Sequence, residues 1–242
     1  MPCYLLKPMS SSPDPLWPEL SLLRAELDRV DNAIHDLLIE RANVIGRVAG
    51  LRAQGKAALR PGREASIIAR LLSRNHGALP ASAIPRIWRE ILASSLAMQT
   101  DFAVAVAAPG LAPLAREHFG ALTPVRSHSG LAAALDDLRQ GRVTVALVPW
   151  PGTLDPTLLK GLFVVARLPF WRPRSEGTPS GEALVIAATA PDPSGNDCSV
   201  VAIDATMEEV EGFLTPDDPR LAALGPDAVL LGAYAVPLSG DL

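Results

Sequence analysis

The sequence predicts an all-α N-terminal domain of three helices, the first far longer than the others, followed by an α/β domain. Three observations carry this. Residues 19–54 hold no proline, and their apolar residues recur about every 3.5 positions. Two shorter helical patterns follow before residue 101. Beyond it, short β-branched runs alternate with helical stretches. The expected organisation is a flexible segment over 1–18, a helical domain over 19–101 and an α/β domain over 102–242.

The 242 residues are 48% hydrophobic and 20% charged, a composition fit to bury a core. A net charge of −4 gives no reason to expect nucleic acid as a partner. Cys3 and Cys198 lie far apart and form no metal or disulfide pattern, so a reducing, cytoplasmic setting is expected. The opening "MPCYLLKPMSSSPDPLWP" lacks the charged start and apolar core of a signal peptide. No apolar run is long enough to span a membrane, so no membrane partner is expected.

The elements follow in order. The first helix runs from Glu19 to about Gln54 and stops at "GKAALRPG". "REASIIARLLSRN" (63–75) is a second helix, ending before Gly77. A third runs from about Ala81 to Gln99, with Pro85 tolerated in its first turns. Then "FAVAVAA" (102–108) reads as a buried strand, "LAPLAREHFG" and "GLAAALDDLRQG" as helices, and "VTVALVPW" (143–150) as a strand. "LFVVARL", "EALVIAA", "SVVAID" and "AVLLGAYAV" are further strands, separated by Pro- and Gly-rich loops such as "TAPDPSGND".

A helix of roughly 35 residues spans roughly 50 Å, more than a small domain is wide. Its seam of Leu20, Leu23, Leu27, Val30, Ile34, Leu37, Val44, Val48 and Leu51 needs a partner. A second copy of the chain is the expected one, giving an intertwined homodimer.

The step after Leu37 falls on Arg41, a guanidinium within an apolar seam. Such a group needs an anionic partner or must snorkel; Glu40 or Asp36 could serve as that partner. A small dianion could too. Arg52, eleven residues on, lies about 20° round the helix and roughly 16 Å along it. The two planar forks would leave a gap suited to paired carboxylates. Arg24, seventeen residues before Arg41, is roughly 25 Å away and cannot share that ligand within one chain. In an antiparallel dimer it could reach the partner's site. Arg63–Glu64 opens the second helix, a pair that simple helix initiation would also explain. Ser95 and Gln99 stand at i, i+4 near the end of the third, where a solvated face would be equally ordinary.

Taken together, Arg24, Arg41, Arg52, Arg63–Glu64 and Ser95/Gln99 resemble, in order and nearly in spacing, the pattern of the all-helical chorismate mutases. "PRIWREI" in the third helix is similar to that family as well. The resemblance implies an intramolecular [3,3] rearrangement of chorismate to prephenate, without cofactor or metal. It implies that Arg41 and the partner's Arg24 grip the carboxylates. It further implies that Arg52 and Gln99 donate to the ether oxygen, that Glu64 accepts from the hydroxyl and that Ser95 supports a carboxylate, with Arg63 beside them. Arg52 stands where the family has lysine, and Lys56 is a second candidate for that role.

Residues 102–242 resemble a truncated prephenate dehydratase followed by the tail of an ACT domain. "VAVAAPGLAPLAREHFG" is similar to the dehydratase opening and "EEVEGFLTPDDPRLAALGPDAVLLGAYAVPL" to the ACT tail. The dehydratase motifs are missing: Trp150, Pro151 and Gly152 stand where Glu-Asn-Ser follows the Val-Pro, and "GEALVIAA" lacks the Thr and Arg of Thr-Arg-Phe. The second domain is therefore expected to be non-catalytic. The alternatives are a bifunctional mutase–dehydratase, an isochorismate-pyruvate lyase and a non-catalytic regulatory protein. His35, His76, His118 and His128 are scattered, none at metal spacing.

Overall fold

A computed structural model describes residues 17–51, 58–150, 154–173, 181–204 and 206–240. The expected flexible N-terminus up to residue 16, Arg52, Lys56, Pro151 and Gly152 lie outside the described residues.

Helix α1 spans Trp17–Leu51, with Pro18 in its first turn. It forms one compact unit by itself; every described residue from Ala58 onward belongs to a second. None of the α1 residues is buried. The predicted seam is open, with Leu23 at 51%, Leu27 at 62% and Leu37 at 63% exposure.

The second unit begins with α2 (Pro61–Ser73) and α3 (Ala83–Ala97). Next come β1 (Val104–Val106), α4 (Ala112–Phe119), β2 (Val125–Ser127), α5 (Leu131–Arg139) and β3 (Val145–Trp150). β4 (Phe163–Leu168), β5 (Trp171–Pro173), β6 (Glu182–Ala187), β7 (Asp197–Ile203) and β8 (Thr206–Glu211) follow. α6 (Pro219–Leu224), β9 (Val229–Ala235) and β10 (Leu238–Gly240) complete it. Eight strands form one mixed sheet in the order β2-β1-β3-β6-β4-β9-β7-β8. β1 lies parallel to both β2 and β3, as strand–helix–strand crossovers require. β6 inserts antiparallel between β3 and β4. β10 and β5 make a separate parallel pair.

Alternation along the central strands divides the core between the two faces of the sheet. Val104, Val106, Val145, Leu147, Val185 and Ala187 pack with Ile68 of α2, Leu92 and Leu96 of α3, and Ala115 of α4. Ala105, Ala146, Val148, Leu184 and Ile186 pack with Ala134, Leu135 and Leu138 of α5. By packing, α2 and α3 belong with the sheet.

Candidate functional site

Among the described residues, Arg24 and Arg41 fall on α1, Arg63 and Glu64 on α2, and Ser95 on α3, with Gln99 just beyond it. Arg24 is exposed on α1, its guanidinium 5.9 Å from the Trp17 ring centroid. Arg41 is half-buried on the same helix. Arg52, the third cation, is outside the described residues.

In the second unit the structure brings Glu64 and Arg89 together. Glu64 Oε2 accepts from Arg89 Nη1 at 3.1 Å, with side-chain exposures of 15% and 7%. A buried pair of this kind leaves a costly lone charge if either partner is removed. Burial pulls the Arg89 guanidinium down to about 10, opposed by the Glu64 charge. The Arg89 guanidinium also lies 5.1 Å from the Phe170 ring centroid. Glu64 is therefore more than a first-turn acid. Arg63, its neighbour, exposes its side chain while its backbone N–H donates to Asp192 Oδ2 at 3.2 Å.

Ser95 is buried rather than on a solvated face, and its hydroxyl donates to the Ile91 carbonyl at 2.7 Å. Gln99 sits just beyond α3, half-buried, and Nε2 donates to the Ser95 carbonyl at 2.7 Å. Its Oε1 is buried and, among the described residues, has no hydrogen-bond partner. A buried unsatisfied amide oxygen is uncommon, and a bound donor would relieve it. The amide nitrogen has two hydrogens, so the bond to Ser95 does not exhaust it as a donor.

Arg89 was not legible as a site neighbour from the motif alone. One signal was present: it lies on the α3 stripe with Leu92 and Leu96, at i+3 and i+7, where a cation needs a partner. His118 of α4 is buried near the same guanidinium; burial chiefly, and the Arg89 charge second, hold it well below the usual histidine range. A cavity of about 30 Å³ bordered by Arg89, His118 and Phe170 has room for little more than a water.

Two other places invite comparison. An apolar cavity of about 820 Å³, lined by Phe163, Phe213, Leu214, Leu221 and Leu230 among others, has no titratable side chain among the described residues of its walls. On the sheet, Arg167 bonds Glu182, Glu209 and the Tyr234 hydroxyl. Nearby, burial pushes the Cys198 thiol up, the reverse of an activated nucleophile. No group of His, Cys, Asp and Glu suited to a metal ion occurs among the described residues. No described helix is long and apolar enough to cross a membrane.

Residues 23–100 match the model of the chorismate mutase type II family. That stretch contains every predicted site residue, from Arg24 to Gln99. The bifunctional chorismate mutase/prephenate dehydratase of Stutzerimonas stutzeri is 29% identical over 140 residues, covering 54% of this chain. The match takes in only 38% of that relative's length. Among solved structures, a quorum-quenching acylase, GqqA, is similar over 56% of this chain and 95% of its own, at 14% identity and a TM-score of 0.41. Prephenate dehydratase from Streptococcus mutans is similar over 57% of this chain and 100% of its own, at 13% identity and a TM-score of 0.36.

Proposed function

We propose that this chain acts as a homodimeric, cytoplasmic chorismate mutase in aromatic amino acid biosynthesis, converting chorismate to prephenate. One observation carries the reading: the chorismate mutase type II match spans residues 23–100, the stretch of sequence that holds the whole Arg, Glu, Ser and Gln set.

The chemistry asks little of the protein beyond shape and charge. The [3,3] shift breaks the ether C–O bond and forms a C–C bond within one molecule, so no nucleophile or proton shuttle is required. The protein must hold the folded, near-attack conformer and meet the charge that develops on the ether oxygen. Arg41 and the partner subunit's Arg24 take the two carboxylates in bidentate fashion. Arg52 and the Gln99 amide donate to the ether oxygen. Glu64, ion-paired with Arg89, accepts from the substrate hydroxyl. Ser95 supports a carboxylate, and Arg63 adds positive potential at the start of α2. No cofactor takes part.

The homodimer is supported by the open seam of α1, where Leu27, Ile34 and Leu37 each expose half or more of their surface. The activity printed for the Stutzerimonas relative raises a second reading, a bifunctional mutase–dehydratase. Against it, β6 carries neither threonine nor arginine.

The test follows chorismate loss with purified protein and separates prephenate from phenylpyruvate at neutral pH. Prephenate without phenylpyruvate is the expected result. Direct phenylpyruvate formation would favour the bifunctional reading, and no chorismate loss would overturn the mutase.

A further inference from the structure

Helix α2 lacks a cap of its own. Its N-cap residue is Arg60, whose side chain has no acceptor for the helix's first N–H groups. The cap comes from the loop between β6 and β7 instead. Asp192 Oδ1 accepts from Gly62 N–H at 3.0 Å, and Oδ2 accepts from Arg63 N–H at 3.2 Å. Arg60 Nε adds a charged bond to Oδ2 at 3.1 Å. The fit is close: a Cβ on Gly62 would lie 2.0 Å from the Asp192 carbonyl oxygen, so only glycine lets the loop approach. Glu64 follows directly after the capped Arg63.

The Glu64 carboxylate is held from the other side. Arg89 grips it at 3.1 Å while its own guanidinium lies against Phe170, which follows β4. The backbone just before Glu64 and the Glu64 side chain are thus both tied to the α/β layer, the first through Asp192, 130 residues on from Gly62, the second through Arg89 to Phe170, 81 residues further on.

We propose that Asp192 and Arg89 are positioning residues for Glu64, so that the α/β layer is the mount of the mutase site's second helix rather than an appendage. The proposal rests on the mutase reading for the role of Glu64, but not for the anchoring itself. It gives the layer a function that needs no chemistry of its own, and a route by which anything bound to the layer would alter turnover.

The experiment pairs activity with amide hydrogen exchange on the full chain. Asp192→Ala removes the cap and should lower kcat/KM about tenfold, with Asp192→Asn, which keeps one acceptor oxygen, falling between it and the parent. Exchange at Gly62, Arg63 and Glu64 should quicken in Asp192→Ala while the central strands stay protected. In a Glu64→Ala background, both Asp192→Ala and Arg89→Lys should cost less than about twofold further, because they act through Glu64. A full, multiplicative loss in that background would mean a general structural role and would overturn the proposal. Unchanged exchange at Gly62 and Arg63 would overturn it too, whether or not chorismate is turned over. Loss of protection without any chorismate turnover in the parent would keep the anchor and remove only the mutase reading.

Discussion

Helices α1 and α3 both carry apolar stripes of helical period, and they meet opposite fates. α3 buries Ile84, Leu92 and Leu96 within 15 residues. α1 buries nothing in 35. Period fixes which residues share a face, not what covers that face. The α3 stripe lies on the sheet, where each large side chain removed from water contributes about 1.5–3 kcal/mol. The α1 stripe is longer and has no cover among the described residues of its own unit, which is why a second chain is its proposed partner. Even their misplaced arginines differ in setting. Arg89 is enclosed with Glu64, whereas Arg41 stays half-exposed.

The comparison breaks most visibly if the α1 face is charged. Ile34→Asp with Leu37→Asp should halve the mass seen by light scattering and cut mutase activity by more than about a hundredfold, the scale of losing a transition-state donor. The sheet should still melt cooperatively in that variant. Unchanged mass would leave the seam without its proposed cover.

Next in size is the contrast between the two stripes. Leu92→Ala in α3 should destabilise the protein by about 2–5 kcal/mol in denaturant titrations. Leu27→Ala in α1 should cost under about 1 kcal/mol in dilute, dissociated protein. At higher concentration its cost should rise, because mass action links folding to association. Equal costs at all concentrations would erase the distinction.

A smaller effect is set by pH. His118 is kept neutral in the fold, with its proton affinity below that of the unfolded chain. As pH falls below about 6.5, the unfolded state takes up a proton that the folded state refuses. Stability should therefore fall by at most about 1.4 kcal/mol per pH unit from this residue, in the acid direction only. His118→Gln should flatten that slope in pH-dependent chemical denaturation; an unchanged slope would locate the dependence elsewhere. Away from both helices lies Ser199, whose buried hydroxyl donates to the Gly212 carbonyl and accepts from Leu214 N–H, both at 2.8 Å. Ser199→Ala should cost about 1–3 kcal/mol, at the low end if a water replaces the hydroxyl.

Much of this was legible because it is local. The 3.5-residue period gave α1, and β-branched runs gave β3, β6 and β9. β8 was missed because "TMEEVE" is acidic and half-exposed at the sheet's edge, so it lacks the apolar signature of a strand. β2 was missed because three residues carry no period. At the site, Arg41 could be singled out by its place in the seam, and Glu64 by the family pattern. Asp192 could not: its partners lie about 130 residues earlier, and nothing in "TAPDPSGND" distinguishes a distant helix cap from a turn former. Ser95 was open between a solvated and a site-facing position because i, i+4 spacing alone does not say which side the sheet takes.

The most direct test of the central claim mixes two inactive proteins. Arg24→Ala and Arg41→Ala are unfolded together, refolded together and assayed for prephenate. If each site draws Arg24 from its partner, half of the randomly paired dimers hold one intact site, and about a quarter of the parent activity returns. If the mixture shows no more than the sum of the two variants alone, the site is not completed by a second chain, and the account of the α1 seam is wrong.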